Sequence, residues 1–276
     1  MKTADDLDAS PLGRAAPLPA HYDPRLLFAV ERAAQRASLG LPADLPFRGA
    51  DVWTAFEASW LDADGKPQVA IATFVVPADS PRLVESKSVK LYLMSINQQR
   101  YPSVPAVAAT IERDLSNATG AAVAVTLTIP ADFGELRYGE LAGDSIDEQP
   151  VAAACEGLAP ESLSAAGPAA VEVLRSDLFR SVCPMTDQPD YASVQLAYRG
   201  ARIDRAGLLA YLVSFRRHPG FHEHCAERIF MDVWRRCRPE SLSVHARFTR
   251  RGGIDINPYR TSGDEPPPPN ARTARQ

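Results

Sequence analysis

The sequence has no apolar run long enough to form a membrane-spanning helix. No stretch approaches the roughly 18 to 20 apolar residues that cross a bilayer, and the acidic start MKTADD is followed by no apolar core of a secretion signal. We therefore expect a cytoplasmic protein with no membrane partner.

Cysteine is scarce, and its spacing shows no pairing. The four cysteines form no CxxC pair and lack the even spacing of a disulfide framework. We expect four thiols: Cys183 in a turn, Cys155 in a linker without an evident partner, and Cys225 and Cys237 in the core or on the surface.

Common nucleotide-binding fingerprints and an excess of positive charge are also absent. There is no G-x-G-x-x-G between a strand and a helix and no G-x-x-x-x-G-K-[ST], so no such motif names a cofactor. The formal net charge is -4 and the pI is about 5.8, which argues against direct binding of nucleic acid. An anionic ligand would have to meet a local basic cluster.

The composition predicts a globular protein of one large or two modest domains, because 45% of the 276 residues are hydrophobic. Both ends differ from this composition. Residues 1–22 are rich in Ala, Pro and Asp without periodicity, and residues 261–276 contain a proline run, so both are predicted to be disordered. The segment DPRLLFAVERAAQRAS predicts a short helix, since its apolar residues recur on one face.

The first half of the chain predicts the order strand, strand, helix, helix, strand. Residues from Val52 to Trp60 alternate between two faces, DADGKP supplies a turn, and QVAIATFVVP resumes the alternation, which is typical of a β-hairpin. KSVKLYLMSIN and PSVPAVAATIERDLSNATG then predict two helices, the second of which ends at Gly120. AAVAVTLTIP predicts the last strand.

The second half repeats this order. AAVEVLRSDLFRSV and YASVQLAYRG predict strands, RAGLLAYLVSFRRH and FHEHCAERIFMDVWRRC predict helices, and SLSVHARFTRR predicts a strand. YLMSIN at Tyr92 and YLVSFR at Tyr211 occupy corresponding places, which indicates an internal duplication. We predict an α+β fold of two modules, residues 23–142 and 168–260, joined by a linker over 143–167. Each module would be an antiparallel sheet covered on one face by two helices, with a cleft between the modules.

Cys183 lies where a strand ends and a proline-rich turn begins, in FRSVCPMTDQPDYAS. A lone cysteine is more often a small buried hydrophobe than a nucleophile. Here Pro184 and Pro189 place the thiol in rigid, irregular backbone that a substrate can reach. Asp190, at the start of the returning strand, can come back near the sulfur and exchange a proton with whatever the thiolate attacks.

The run His222-Glu223-His224-Cys225 contains four potential zinc ligands. Successive residues of a helix turn by about 100°, so four consecutive side chains splay, and HExxH would need a histidine where Ala226 stands. We therefore predict no metal site. Instead, His222 and Glu223 would face a ligand from the first helical turn, while His224 would be solvated.

Two stretches could bind an anion. The tetrapeptide ESKS, which begins at Glu85, stands directly before an apolar run at helical spacing. Either a serine caps this helix and the charges are solvated, or the helix N-terminus and Lys87 bind an anionic or polar ligand. In RRGGIDINPYR, Arg250 and Arg251 precede two glycines that allow backbone to approach a ligand closely.

Taken together, ESKSVKLYL, SVCPMTDQPD, FHEHCAERIF and RGGIDINPYR resemble the NADPH-dependent 7-cyano-7-deazaguanine reductases, the nitrile reductases of queuosine biosynthesis, in their long two-module form. The motifs occur in family order over residues 22–260. The resemblance implies tandem tunnelling-fold modules, a homodimer and NADPH as cofactor. Because one half carries the ESK signature and the other His222 and Glu223, the site is expected between the halves.

The resemblance also implies the chemistry at the substrate. Cys183 would attack the nitrile carbon to form a covalent thioimide, and Asp190 would protonate the nitrogen. Glu223 would accept hydrogen bonds from the donor edge of the deazapurine ring, and His222 would orient the substrate or relay protons. Two hydrides convert the nitrile to an amine, so NADPH would have to bind twice.

Further positions match the family's binding residues. The backbone of Val84, Glu85 and Ser86 would hold the base. Four positions match the family's NADPH contacts: Ser86, Lys87, Arg251 and Gly252. The cationic groups among them suit the phosphates of the cofactor.

Two features depart from the family pattern, and two other functions compete with it. Tyr101 and Pro102 stand in the exit turn of the first helix, and Asp187 adds a carboxylate to the loop of the thiol. A nitrilase-type hydrolase would use the same residue types but release ammonia without NADPH. A non-enzymatic purine- or pterin-binding module would keep its ligand affinity after alkylation of Cys183.

Overall fold

The structure, a computed structural model, describes residues 19–42, 44–151 and 157–276. The chain divides into two compact units. Unit 1 comprises the described residues up to Ser38 together with Asp51–Leu136 and Arg250–Asp255; unit 2 comprises Leu39–Ala50, Arg137–Thr249 and Ile256–Gln276. Each unit combines strands with helices, so the α+β class is confirmed.

Unit 1 contains a hairpin and two long helices in the predicted order. Its elements are β1 (Ala29–Glu31), α1 (Arg32–Ser38), β2 (Arg48–Leu61), β3 (Pro67–Pro77), β4 (Arg82–Val84), α2 (Ser86–Ile96), α3 (Val104–Thr119) and β5 (Ala124–Thr128). The strand order in its sheet is β5-β3-β2, and β3 pairs with β5 antiparallel. A separate two-stranded ribbon joins β1 to β4.

Local sequence explains the long elements of unit 1. Along β3 every second residue is buried, as the alternating pattern predicts: Ala70, Ala72, Phe74 and Val76. Helix α3 ends at Gly120, whose φ of 76° lies in the left-handed region that terminates helices at glycine. Its position as the helix end was predicted.

Unit 2 is built on longer strands. Its elements are β6 (Asp144–Ser145), β7 (Ala165–Val182), β8 (Pro189–Ile203), α4 (Arg205–Ser214), α5 (His222–Cys237), β9 (Ser241–Phe248) and β10 (Ile254–Thr261). The strand order is β10-β9-β8-β7-β6, antiparallel except for the short β6, which runs parallel to β7. Leu212 and Phe230 of the helices share one buried core with Leu196 and Val244 of the strands.

The internal duplication predicted from YLMSIN and YLVSFR recurs as matching side-chain contacts. In unit 1 the Tyr92 hydroxyl donates to Asp114 over 2.6 Å; in unit 2 the Tyr211 hydroxyl donates to Asp232 over 2.7 Å. Three residues beyond each tyrosine, a serine hydroxyl donates back to the tyrosine carbonyl and accepts a backbone N–H from a preceding segment. Each unit therefore joins its two helices in the same way.

The prediction for the start of the chain is wrong in part. The expected helix over 23–38 is a single 3-10 turn, then β1, and only then the seven-residue α1, because pairing with β4 draws residues 29–31 into a ribbon. Tyr22, which we expected in a disordered segment, donates its hydroxyl to Asp114 over 2.6 Å. Residues 1–18 of that segment lie outside the described residues.

The predicted linker and tail also differ from the structure. Within 143–167 lie β6, a 3-10 turn at Pro160–Ser162 and the start of β7. In the predicted disordered tail, Thr273 and Gln276 are buried, and Gln276 is held by Arg247. The sequence did not predict β10, whose residues are all buried although several are polar.

Candidate active site

Cys183 lies directly after the last residue of β7, in a short loop in which both its backbone N–H and its carbonyl form hydrogen bonds. Its N–H donates to the carbonyl of Gln188 over 2.9 Å, and its carbonyl accepts from the N–H of Asp187 over 3.1 Å. The side chain is buried and is a free thiol. These bonds hold the sulfur-bearing residue in fixed backbone, as its prolines predicted.

Asp187 has a backbone role in this loop. Its φ is 53°, in the left-handed region that most residues avoid and that aspartate tolerates. Its side chain is exposed. The departure from the family pattern at this position is therefore accommodated by the turn that closes on Cys183.

The end of β7 is tied to the segment that leads into α5. The N–H of Val182 donates to the carbonyl of His218, and the N–H of Gly220 donates to the carbonyl of Val182, both over 3.0 Å. Unit 1 has the same arrangement around Leu61, which bonds to Gln99 and Tyr101. In the second unit this pairing brings the start of α5 alongside the strand that precedes Cys183.

Asp190 and His222 form the polar centre of this region. Asp190 lies on β8 opposite Ser181 and is 5% exposed. His222 Nε2 lies 3.4 Å from Asp190 Oδ2, and the imidazole stacks on the Phe248 ring with 3.8 Å between ring centroids. The structure thus brings together two of the predicted site residues, Asp190 and His222, at 3.4 Å.

Glu223 lies in the first turn of α5 and is 3% exposed. A carboxylate at a helix N-terminus is stabilised by the helix dipole, so it can remain an acceptor for ligand N–H groups. Phe221, the N-cap residue of α5, makes no side-chain hydrogen bond to the first turn of the helix. The predicted helix-opening pair is therefore at the helix start, as expected.

The prediction for His224 is wrong, because this histidine is 8% exposed and packs inside unit 2. Cys225 and Cys237 are also buried, and burial raises the pKa of their thiols to about 12 and about 11. They belong to the core of unit 2. Cys155 lies outside the described residues.

No group of three His, Cys, Asp or Glu side chains in the described part of the chain is arranged to hold a metal ion. The same residues include no helix that is both long and apolar enough to cross a membrane.

Glu85 caps α2 in unit 1, which corrects the alternative of a serine cap. Its carboxylate accepts the N–H of Lys87 over 2.6 Å and the N–H of Ser88 over 2.8 Å. Ser88 is committed to backbone: its hydroxyl donates to the Glu85 carbonyl and accepts from the N–H of Phe28. Glu85 is 1% exposed, and this burial raises its pKa despite the two N–H bonds and the nearby Lys90 ammonium.

Val84 is buried directly before this cap, while Ser86 and Lys87 are partly exposed in the first turn of α2. The Ser86 hydroxyl lies 3.4 Å from the Glu85 carboxylate. The first turn of α2 therefore leaves a hydroxyl and an ammonium at the surface of unit 1.

The turn between β9 and β10 carries Arg251 and Gly252. The N–H of Arg251 donates to the Ile254 carbonyl over 2.9 Å, and Gly252 and Gly253 both have positive φ, 59° and 79°. A side chain at Gly252 would lie 3.0 Å from the ammonium nitrogen of Lys90. Glycine is favoured here because its φ lies in the left-handed region, which costs other residues strain.

Sequence reasoning missed Lys90, which joins α2 to this turn. Lys87 and Lys90 are three residues apart and so lie on neighbouring positions of one helix face. This spacing of three residues could have predicted that Lys90 lies beside Lys87 on the helix. Lys90 therefore adds a positive charge next to the turn that carries Arg251.

A family model described as "Nitrile reductase, 7-cyano-7-deazaguanine-reductase N-term" matches residues 18–127, and one described as "QueF-like protein" matches residues 189–267. Proteins from Burkholderia multivorans and Burkholderia ambifaria are 54% and 55% identical over 97% of this chain and 98% of theirs. One from Bordetella parapertussis is 54% identical over 98% of this chain and 99% of its own. All three are named NADPH-dependent 7-cyano-7-deazaguanine reductase.

The chain belongs to this reductase family. The first matched segment contains Glu85 and Lys87, and the second contains Asp190, Glu223 and Arg251. The relatives match almost the whole chain, so the family assignment covers both units.

Proposed function

We propose that this protein reduces the nitrile of 7-cyano-7-deazaguanine to the primary amine of 7-aminomethyl-7-deazaguanine with NADPH, in queuosine biosynthesis. One observation carries the proposal. Cys183 lies in the β7–β8 loop, and Asp190, near the start of β8, lies 3.4 Å from His222, in a chain 54% identical to named reductases over nearly its full length. A nucleophile with a proton-exchanging pair nearby suits addition to a nitrile.

The first step is addition of the Cys183 sulfur to the nitrile carbon. The S–C bond forms while one π bond of the nitrile breaks, the thiol proton passes to solvent, and Asp190 gives a proton to the nitrogen. The product is a thioimide. His222, 3.4 Å from Asp190, is placed to return a proton to that carboxylate.

Reduction then follows at the same carbon. When bound, NADPH would supply the hydride for each of the two reduction steps. Cys183 holds the carbon for the first transfer and leaves as a thiolate when the imine forms; the second transfer, with protonation of nitrogen, gives the amine. The overall balance is two hydrides and two protons added to the nitrile, with the thiol regenerated.

The resemblance to the reductase family supports Glu223 and the backbone of Val84, Glu85 and Ser86 as the residues that bind the base. Glu223, buried at the start of α5, accepts hydrogen bonds from the ring N–H and amino groups. The backbone of Val84, Glu85 and Ser86 contributes further contacts, and the buried Glu85 carboxylate keeps that backbone in one conformation through its two N–H bonds.

The cofactor is assigned to Ser86, Lys87, Arg251 and Gly252. The residues fit a phosphate-bearing molecule, because the glycine turn lets an approaching group reach backbone and the set includes two cationic side chains, Lys87 and Arg251. Lys90, which covers Gly252, adds a third positive charge.

We further propose that the two units are tandem tunnelling-fold modules and that the protein acts as a homodimer in the cytoplasm. The repeated bonds from Tyr92 to Asp114 and from Tyr211 to Asp232 support a module duplication. The three described cysteines are free thiols, which suits a reducing compartment. Light scattering coupled to size-exclusion chromatography tests the dimer.

The function is tested by following NADPH absorbance with and without 7-cyano-7-deazaguanine. The proposal predicts oxidation only when the nitrile is present, with two NADPH consumed for each amine formed. Ammonia release without NADPH would indicate a hydrolase. Binding of the base with no turnover at any NADPH concentration would indicate a binding module.

A further inference from the structure

The imidazole of His222 is oriented by an aromatic ring. Phe248, the last residue of β9 and fully buried, stacks on it with an angle of 11° between the ring planes. The other ring nitrogen, Nδ1, is buried and has no hydrogen-bond partner in the described part of the chain. A catalytic histidine usually takes its orientation from a bond at that second nitrogen. In this protein the stacked Phe248 ring orients the His222 imidazole instead.

Phe248 is itself held in two ways. On the sheet, its Cα partner is Ala192 of β8, two residues beyond Asp190, so the ring and the carboxylate lie on neighbouring strands. Its ring also meets Phe179 edge-on, with centroids 5.9 Å apart and planes at 87°. The plane on which His222 stacks is therefore fixed relative to Asp190.

The backbone of Phe248 is anchored by the side chain of Gln276. The Gln276 amide nitrogen donates to the Phe248 carbonyl over 2.9 Å and to Asn257 over 2.7 Å. Its amide oxygen accepts two N–H bonds from the Arg247 guanidinium, over 3.0 and 2.7 Å. Gln276 is 3% exposed, so these bonds form in the interior of unit 2.

We propose that Phe248 is a positioning residue that holds the His222 imidazole against Asp190, and that the Gln276 carboxamide fixes Phe248 for this task. The inference rests on the proposed function, in which Asp190 and His222 serve addition of the thiol. It adds Gln276, a residue distant in sequence, to the residues that shape the site. Gln276 binds the Phe248 carbonyl, and the Phe248 ring in turn stacks on His222.

The test is a double-mutant cycle on the rate of thioimide formation, measured by stopped-flow mixing with 7-cyano-7-deazaguanine. Phe248→Leu keeps apolar volume but removes the flat face. We expect it to slow adduct formation by about tenfold or more, since small misplacement of a reacting group has effects of that size. In a His222→Ala background the same substitution should cause no further loss. Substrate affinity by calorimetry should change much less.

Gln276→Glu tests the same proposal if the Phe248→Leu variant does not fold. The carboxylate keeps its bonds from Arg247 but cannot donate to the Phe248 carbonyl. We expect about a threefold slower adduct formation, again absent in the His222→Ala background. Phe230→Leu is the control: this ring is fully buried against Phe47 and Trp234 and should lower the melting temperature without slowing the reaction of folded protein.

The outcomes separate the two proposals. Losses that add in the double mutants would show that Phe248 does not act through His222 and would overturn the inference. A slow His222→Ala variant beside a normal, folded Phe248→Leu variant would also overturn it while leaving the proposed function intact. Normal adduct formation in His222→Ala would overturn the inference, whereas the proposed function would stand as long as NADPH oxidation depends on the nitrile.

Discussion

Glu85 and Asp204 cap equivalent helices in the two units. Each carboxylate accepts the backbone N–H groups two and three residues further on, and each stands seven residues before the duplicated tyrosine. The neighbouring residues have diverged, because Lys87 in unit 1 corresponds to Ala206 in unit 2. The structure therefore offers a matched pair in which one cap carries the proposed binding residues and the other does not.

The first prediction uses this pair. Glu85→Ala and Asp204→Ala should each lower the free energy of unfolding by about 0.5 to 2 kcal/mol, the usual effect of losing an N-cap. Glu85→Ala should also weaken binding of 7-cyano-7-deazaguanine, whereas Asp204→Ala should not. Urea unfolding and calorimetry measure the two effects. Equal substrate affinity in both variants would remove Glu85 from the site.

The second prediction separates cofactor binding from thiol chemistry. Lys87→Ala and Arg251→Ala should each raise the KM for NADPH about tenfold, the scale of a lost bond to a charged group. Adduct formation on Cys183 in the absence of NADPH should stay normal. Exposed Lys66, in the β2–β3 turn, provides a control as Lys66→Ala. A KM for NADPH unchanged in both test variants would refute the assignment.

The third prediction concerns pH and His245. Burial, followed by the Arg247 charge, lowers the pKa of His245 to about 3. The unfolded chain therefore binds a proton near pH 6.5 that the folded protein does not, so stability is full above pH 6.5 and falls as the pH drops toward 3.

His245→Gln removes the contribution of this histidine to the pH dependence of stability. The decrease in unfolding free energy from pH 7 to pH 5 should be smaller in the variant by about 2 kcal/mol, measured by urea unfolding. His21→Gln, which replaces an exposed histidine, should behave like the unsubstituted protein. The idea fails if His245→Gln keeps the full pH dependence.

The fourth prediction concerns Asp190. Asp190→Asn keeps shape and hydrogen bonding but cannot act as an acid. It should bind substrate nearly normally, while adduct formation and NADPH turnover fall about 10²-fold or more. A thermal melt beside the stopped-flow measurement checks the fold. Normal adduct rates would exclude the acid role, and a collapsed melting temperature would make Asp190 structural.

Periodicity predicted most elements, because a long strand or helix buries one face at a regular spacing. The alternation in β3 and the glycine end of α3 are examples. It failed for β10, where Asp255, Asn257 and Arg260 are buried by tertiary partners that no local pattern reveals. Arg260, for instance, is paired with Glu227.

The candidate site was likewise predicted only in part from the sequence. Motif order placed Cys183, Asp190 and His222 in one region, and the structure brings Asp190 and His222 within 3.4 Å. The sequence could not give the stacking of Phe248 on His222, since the two residues meet only through strand register. It also misjudged His224, which the fold buries although its position in the helix suggested solvent.

The central claim is that Cys183 attacks the nitrile, and intact-protein mass spectrometry tests it most directly. The protein is mixed with 7-cyano-7-deazaguanine without NADPH, beside Cys183→Ala and the core-thiol control Cys225→Ala. The account predicts a mass increase of one substrate in the unsubstituted protein and in Cys225→Ala, and none in Cys183→Ala. An adduct that persists in Cys183→Ala, or that disappears in Cys225→Ala while the fold is intact, would contradict it.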